Sequence, residues 1–548
     1  MPRKKDYSAW SKQDLIQRIH ALEKRKKYGL VWDEEHTPEE FEKEARDALP
    51  VLQAVPSKAI HSSPDDPTHI LIEGDNFHAL SALNYTHEKA VDVIYIDPPY
   101  NTGNQDFRYN DKFVEKEDAY RHSKWLSFMD KRLRLAKNLL KDTGVIFISI
   151  DDNEMAQLKI LCDEIFGSTP LGIFIWKARS GKGGTADQVA SLHEYILCYA
   201  RDKRVARLKP DTRIGSRTKE RLRQWGQGDS KKDRETMYFG IPAPDGTLAY
   251  PIKDDGTEGR WRVGQKEANR LLEANELEFE FSEGKWKVYR IFSEDNITET
   301  ATDSLLLNVG TATDGTKEIL KIFGKKVFDT AKPTSLILHL LDLMLYDMRS
   351  GIVLDFFAGS GATGDAVLQL NKNQKRFQFI LATNNEKNIC TEVCYPRLKQ
   401  VIQGYDFEGT ERKVLFEEKL SLTKMRKAAE IYTEYEEARD ANETEFDSLK
   451  GEFRENILRL WGIDYIDDHI EGLGGNLNYY RTAFVPAAPT DANKETLTLR
   501  SVEMLCLREN TFEFVRENAV WKIFKNQARY TAILFDNLAI PKFKKELA

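Results

Sequence analysis

Val91-Asp92-Val93-Ile94-Tyr95-Ile96 runs directly into Asp97-Pro98-Pro99-Tyr100 and then Asn101-Thr102-Gly103. A short run dominated by Val and Ile, stopped by two prolines, predicts a buried strand ending in a rigid turn. Apolar runs of the same kind stand at residues 69–73, 144–150 and 173–176, with helical patterns between them, as at 124–140. Strands alternating with helices pair in parallel, so the expected class is α/β. The rhythm resumes with a helix over 334–348, a strand over 352–357 and another over 377–382.

The strand over 352–357 ends in Asp355-Phe356-Phe357 and turns through Ala358-Gly359-Ser360-Gly361-Ala362-Thr363-Gly364 into a helix. These glycines fit G-x-G-x-x-G in a strand–turn–helix setting, where backbone can approach a nucleoside-containing ligand closely. Glu386 lies 22 residues past Gly364, at the end of the next strand, where an acid can take ribose hydroxyls. Asp365 stands where a P-loop carries lysine, which disfavours a triphosphate. Alone, the motif fits NAD or S-adenosylmethionine, and a plain strand–helix turn as well.

The corner at Asp97 is more specific. Ligands of open α/β sheets bind at the carboxyl ends of the strands. Consecutive prolines remove two N–H donors and leave an acceptor-rich turn made of the Asp97 carboxylate and the Asp97 and Pro98 carbonyls. Tyr100 adds a flat face. Such a corner suits a planar ring with an exocyclic amine: the amine donates, and the ring stacks on tyrosine. An aryl amine is a poor nucleophile because its lone pair is delocalised, and hydrogen bonds that pull it toward tetrahedral geometry free that pair.

Asp97-Pro98-Pro99-Tyr100 followed by Phe357, Gly359 and Gly361 resembles the beta group of amino-methyltransferases acting on exocyclic nitrogens of DNA bases. Further blocks are similar to Mod subunits of type III restriction–modification systems: Leu71 to Asn76, Ile150 to Glu154, His193-Glu194-Tyr195-Ile196, Lys332-Pro333-Thr334, Phe379 to Glu386, and Gly472 to Asn476 with Tyr479-Tyr480. The resemblance implies a Rossmann-like core that uses S-adenosylmethionine. It implies Asp75, Lys332, Thr334, Asp355, Phe357, Gly359, Ser360, Gly361 and Glu386 as cofactor residues, and Asp97, Pro98, Pro99 and Tyr100 as the catalytic corner. Thr334, or backbone beside it, is expected at the amino-acid end of the cofactor, and Asp75 near the adenine. Asp at the first tetrapeptide position leans toward adenine N6, so a flipped adenine is expected on Tyr100; cytosine N4 is the alternative. Double-stranded DNA, a homodimer and a restriction subunit are the implied partners. Another reading, a DNA-recognition subunit for a nuclease or translocase, is compatible with methylation. An NAD-dependent oxidoreductase would leave the Asp97 corner idle. None of the five cysteines follows a proline, so a thiol nucleophile is not expected, and no HExxH or paired CxxC calls for a metal.

The 548 residues carry a net charge of −7, from 81 basic and 88 acidic side chains, which argues against a histone-like binder. One window, residues 201–235, holds 13 Lys or Arg against 6 Asp or Glu. On charge alone it is either a phosphate-binding surface or a solvated helix face bearing Arg217, Lys219, Arg221 and Arg223. In the family a target-recognition domain lies between the His193 block and the Lys332 block, which shifts the reading to DNA contact through Arg217, Arg221, Arg223 and Arg260. The expected organisation is a helical arm and linker over 1–68 and core halves over 69–202 and 326–405. A β-rich target-recognition domain over 203–325, with turns at Asp245-Gly246 and Asp255-Gly256, lies between the halves. A helical and mixed region over 406–548 completes the chain, with 406–460 helical and a hairpin near 520–535. No run is apolar enough to span a bilayer, no secretory h-region follows Met1, and five cysteines are too few for a disulfide framework, so a cytoplasmic protein is expected.

Overall fold

The computed structural model describes residues 11–16, 32, 39 and 48–547, apart from 105, 110–111, 168–169, 182–188, 215–218, 283, 292–296, 422–423, 455, 488–489, 536–537 and 539. Two compact units emerge: Met1–Arg207 with Ser304–Ala548, and Leu208–Asp303.

The larger unit is built on a ten-stranded sheet. Its strands in chain order are β1 (Ala48–Ala54), β2 (Thr68–Glu73), β3 (Val91–Ile96), β4 (Leu140–Ile150), β5 (Gly172–Lys177), β6 (His193–Ala200), β7 (Leu305–Leu306), β8 (Ser350–Asp355), β9 (Arg376–Thr383) and β10 (Asn476–Pro486). Their order across the sheet is β1-β10-β2-β9-β8-β3-β4-β6-β5-β7. From β10 to β4 every pairing is parallel; β6 runs against β4 and β5. Side chains alternate between the two faces. Ile70, Ile72, Ile94, Ile96, Ile146 and Ile148 join one core with helices α1 (Asn76–Thr86), α2 (Arg121–Leu139) and α3 (Met155–Phe166). Their neighbours Leu71, Val93, Tyr95, Phe147 and Phe379 are as thoroughly buried, so the opposite face is covered too. That side carries α4 (Ala312–Phe323), α5 (Thr334–Leu345), α6 (Ala362–Asn371) and α7 (Tyr395–Gln403), packed in series.

Three expectations for the larger unit need correction. Residues 48–54, assigned to the helical arm and linker, form β1, and Pro50 is tolerated because β1 is an edge strand. The rest of the expected arm, beyond helical residues 12–16, lies largely outside the described residues. The sheet does not end its recruitment at 405: β10 inserts between β1 and β2, antiparallel to one and parallel to the other. Residues 406–460 are not helical throughout. Gly404–Lys419 is a strand on Ile457–Glu471, which also pairs with Ser448–Arg454, and among the described residues only Ala428–Asn442 is a regular α-helix there. The hairpin expected near the end is present, with Trp521–Lys525 against Tyr530–Leu534.

Leu208–Asp303 has a core of its own around Leu222, Trp261, Leu271 and Val288. Its three-stranded antiparallel sheet joins Lys219–Arg221, Lys285–Ile291 and Leu277–Ser282. Thr247 N–H donates to Asp245 and Thr257 N–H to Asp255, closing the two Asp-Gly turns at Gly246 and Gly256. The unit is shorter than the 203–325 expected, because Leu305–Leu306 returns to the large sheet as β7 beside β5. Among the described residues no helix is long and apolar enough to cross a membrane.

Candidate active site

β3 and β8 are hydrogen-bonded neighbours, with Val93 opposite Val353 and Ile94 opposite Leu354. The turns that leave their carboxyl ends are therefore adjacent. Asp97, Pro98, Pro99 and Tyr100 line the same 690 Å³ cleft as Asp355, Phe357, Gly359 and Ser360. Asp151 and Asp152, just past β4, and Glu194, in β6, line it as well.

Prolines cannot hold a turn by N–H donation, so side chains hold this one. Trp125 Nε1 donates to the Pro99 carbonyl at 2.7 Å. Asn101, fully buried with φ 57°, donates its amide to Glu154 at 2.5 Å, and His122 meets the same carboxylate oxygen at 2.6 Å. Thr102 N–H donates to Asp106. The result is a fixed corner with Asp97 at its tip.

Lys332, implied above as a cofactor residue, instead sets its ammonium into this corner. Nζ lies 2.9 Å from Asp97 Oδ1, 3.1 Å from Glu194 Oε2 and 2.8 Å from Tyr100 Oη, to which it donates. Tyr100 in turn donates to Glu194 at 2.8 Å. Burial pushes the Asp97 carboxyl up, Lys332 opposes that, and Glu194 adds to it; the net direction is upward. Burial works against the Lys332 charge, yet Asp97 and Glu194 outweigh it and hold the lysine above its usual value. Burial, with the charges of Asp97 and Glu194, holds the Tyr100 hydroxyl neutral.

On the glycine side, Asp355 accepts from Phe357 N–H at 2.9 Å and from the Thr363 hydroxyl at 2.5 Å. Gly359 and Gly361 have φ of 49° and 79°, a region glycine enters without the Cβ penalty. A Cβ on Gly359 would meet Phe328 at 3.4 Å and the Phe357 carbonyl oxygen at 3.7 Å, ordinary contacts that leave the backbone open to a ligand. Burial pushes Asp355 up to about 7.

The other cofactor expectations fall elsewhere. Thr334 is buried, with N–H and hydroxyl on Glu318, and Arg397 donates to its Oγ1 at 2.9 Å. Arg397 also reaches Asp365 at 2.8 Å and Ser360 at 3.4 Å, so Thr334 belongs to a buried network beneath the glycine turn and does not line the cleft. Asp75 caps α1 by accepting from Phe77 N–H and lies 3.4 Å from Arg132. Glu386 is paired with Arg108 at 2.6 Å and does not line the cleft. Asp75, Asp97 and Glu386 nevertheless follow carboxyl ends of parallel strands, and Asp355 closes one, so the four share one edge of the sheet.

Sequence reading gave no role to Glu194, Trp125, Glu154 or Arg397. Arg397 left a signal: it shares the buried face of α7 with Leu398, Val401 and Ile402, where a lone arginine demands partners. Glu194 left none, since its partners come from separate elements. In Leu208–Asp303, the solvated helix face is corrected to a strand. Arg221 and Arg223 both pair with Asp254, at 3.0 and 3.3 Å. Arg260 donates to the Gly228 carbonyl, and Arg217 lies outside the described residues.

An open α/β sheet with a glycine turn and a proline-stiffened acidic corner in one cleft defines a Rossmann-like methyltransferase core. The DNA methylase family model matches residues 91–395, more than half of the chain, and the chain belongs to that family. It is 37% identical over 350 residues to the Mod subunit of the type III restriction-modification enzyme StyLTI of Salmonella typhimurium, over 58% of this chain and 52% of that protein. It is 35% identical over 338 residues to the type II methyltransferase M.KpnI of Klebsiella pneumoniae, over 56% and 79%. To the EcoPI Mod subunit of Escherichia phage P1 it is 31% identical over 423 residues, over 66% and 64%. The chain thus spans about half the length of the StyLTI subunit it matches.

Proposed function

We propose that the protein is a site-specific DNA adenine-N6 methyltransferase and the modification and recognition subunit of a type III restriction–modification system. One observation carries the chemistry: the Asp97 corner and the glycine turn open into a single cleft. The fit to S-adenosylmethionine rests on the cleft's charge. Asp97, Asp106, Asp151, Asp152, Glu194 and Asp355 line it, against the cations of Arg179 and Lys332, a balance suited to a ligand bearing a sulfonium and an ammonium. Asp355, Phe357, Gly359 and Ser360 would hold the cofactor, with Gly361 shaping the turn and Glu386 and Asp75 at the flanks of the same sheet edge. When bound, S-adenosylmethionine supplies an electrophilic methyl group.

The chain's own residues do the rest. A flipped adenine stacks on Tyr100, and its amino group donates to Asp97 and to the Pro98 carbonyl. Those bonds draw the nitrogen lone pair out of the ring. Catalysis is positioning and electrostatics, with no covalent enzyme intermediate. Leu208–Asp303 acts as the target-recognition domain, and duplex DNA, a second copy of the chain and a restriction subunit are the partners of a cytoplasmic enzyme. The Mod names of two relatives support the type III assignment.

The test is transfer of labelled methyl to unmethylated plasmid DNA, followed by nucleoside analysis. N6-methyladenine is expected, and Asp97→Ala is expected to lower transfer at least about a thousandfold, on the scale of an essential electrostatic contact, with its far-UV spectrum unchanged. A fully active Asp97→Ala protein, or label in N4-methylcytosine, overturns this reading.

A further inference from the structure

The Lys332 ammonium donates to the Tyr100 hydroxyl and forms ion pairs with Asp97 and Glu194, while Asp97 Oδ1 has no hydrogen-bond partner among the described residues. The four residues come from three parts of the larger unit: Asp97 and Tyr100 from the turn after β3, Glu194 from β6, and Lys332 from the segment before α5. The ammonium is 4.8 Å from the Tyr100 ring centre and 5.7 Å from that of Trp176, whose indole N–H is fixed on the Gly310 carbonyl at 2.8 Å. The lysine side chain is 11% exposed, Glu194 16% and Asp97 26%, so all three see little beyond the cleft. The segment carrying Lys332 is pinned two residues on, where Thr334 N–H meets Glu318 of α4. The ammonium is therefore held, and the group it touches at Asp97 is the acceptor an exocyclic amine must use.

We propose that Lys332, paired with Glu194, is the positioning cation of the corner: its charge keeps Asp97 an ionised acceptor, while Asp97 Oδ1, without a hydrogen-bond partner among the described residues, is left for the amine of the base. This deepens, and rests on, the amino-methyltransferase reading. Two carboxylates and one ammonium leave the corner one negative charge, which favours a neutral amine donor that becomes positive as it is methylated. Without Lys332, burial would drive Asp97 toward the neutral acid, which presents a proton where the amine presents one too. Glu194 acts in two opposed ways. It anchors the lysine and the Tyr100 hydroxyl, and it repels the Asp97 charge. The ionisable groups facing Asp97 are Lys332, Glu194, Tyr95, Tyr100 and Asp355.

The two partners therefore pull the acid limb of the reaction in opposite directions. Single-turnover methyl transfer to unmethylated plasmid DNA, at saturating S-adenosylmethionine and from about pH 5 to about pH 9, reads it. Lys332→Met is expected to move the limb to higher pH by about one unit or more and to lower the rate at neutral pH at least about tenfold. Glu194→Gln is expected to move it to lower pH. Lys332→Arg, which keeps the charge, is expected to restore most of the wild-type profile. The S-adenosylmethionine dissociation constant is expected to stay within about twofold in all three, because the ammonium faces the base corner. Limbs that stay fixed, or that move together, overturn the proposal. So does a Lys332→Met protein whose cofactor affinity falls about tenfold, since that places the ammonium on the cofactor's amino-acid end. Wild-type protein that transfers no methyl to DNA amines fails the underlying reading, a result separate from an active enzyme with unmoved limbs.

Discussion

Asp355 is 2% exposed at the root of the glycine turn, and burial pushes it up to about 7, against the pull of the Thr363 hydroxyl and the Phe357 N–H. An unperturbed aspartate ionises near ~3.9. Between those values the folded protein keeps a proton that the unfolded chain has lost. The contribution of Asp355 to stability therefore falls as pH rises through that window and is flat above it. A cation in the cleft favours the carboxylate, so cofactor binding and deprotonation are linked. S-Adenosylmethionine is expected to bind more weakly as pH falls below about 7, and Asp355→Asn is expected to remove most of that dependence. Titration calorimetry at about pH 6 and about pH 8 checks both. A wild-type dissociation constant that does not change over that interval would take Asp355 out of the cofactor's surroundings.

At the scale of elements, the three glycines of the motif separate by what faces them. Gly359 is open to the cleft at φ 49°, whereas Gly364 lies inside α6, where a Cβ would come within 2.4 Å of Leu398 and 3.0 Å of Leu381. Leu398 is fully buried and has nowhere to retreat. Gly364→Ala is expected to cost about 1–3 kcal/mol by overpacking, with little change in cofactor affinity. Gly359→Ala is expected to raise the cofactor dissociation constant and to cost about 1–2 kcal/mol for its left-handed backbone. Thermal melts with and without cofactor separate the two; matching behaviour would mean both glycines serve one purpose. The same elements show what a sequence makes legible. β2, β3, β8 and β9 could be read because each is a short apolar run, buried on both faces and closed by a turn. Gly404–Lys419 could not, because charged and polar side chains from Asp406 to Lys419 take most of its exposed positions and its partner begins at Ile457. β1 and β10 were hidden for a related reason, since each is specified by a strand more than 400 residues away, β1 by β10 and β10 by β2. The cleft behaved likewise: Asp97, Tyr100 and Gly359 are local motifs, while the Lys332–Glu194 contact exists only once β6 and the segment before α5 meet.

Across the whole molecule, charge decides how an acidic protein meets a polyanion. The chain carries −7 overall, and the basic window over 201–235 is its counterweight. Much of that window is spent inside its own unit. Arg221 and Arg223 share Asp254, Lys219 holds Glu278 and Lys231 holds Glu258. Arg223 is only 7% exposed. Lys232 and Arg234, by contrast, are exposed, with no ion pair among the described residues. In the proposed DNA complex these two are expected to displace counterions, while the Asp254 pair braces the strand Lys219–Arg221. Lys232→Gln with Arg234→Gln should then reduce the slope of log affinity against log salt by about 1.8, at ~0.9 per phosphate contact. Arg221→Gln with Arg223→Gln should reduce it less and lower the melting temperature instead, because the buried Arg223 side chain loses its packing and the strand loses its tie to Asp254. Salt titrations of plasmid binding between about 50 and about 200 mM would resolve a change of that size. If the Arg221 and Arg223 change flattens the slope while the Lys232 and Arg234 change leaves it alone, Asp254 gives up its arginines to phosphate on binding, and the acidic partner is a switch for DNA contact rather than a brace.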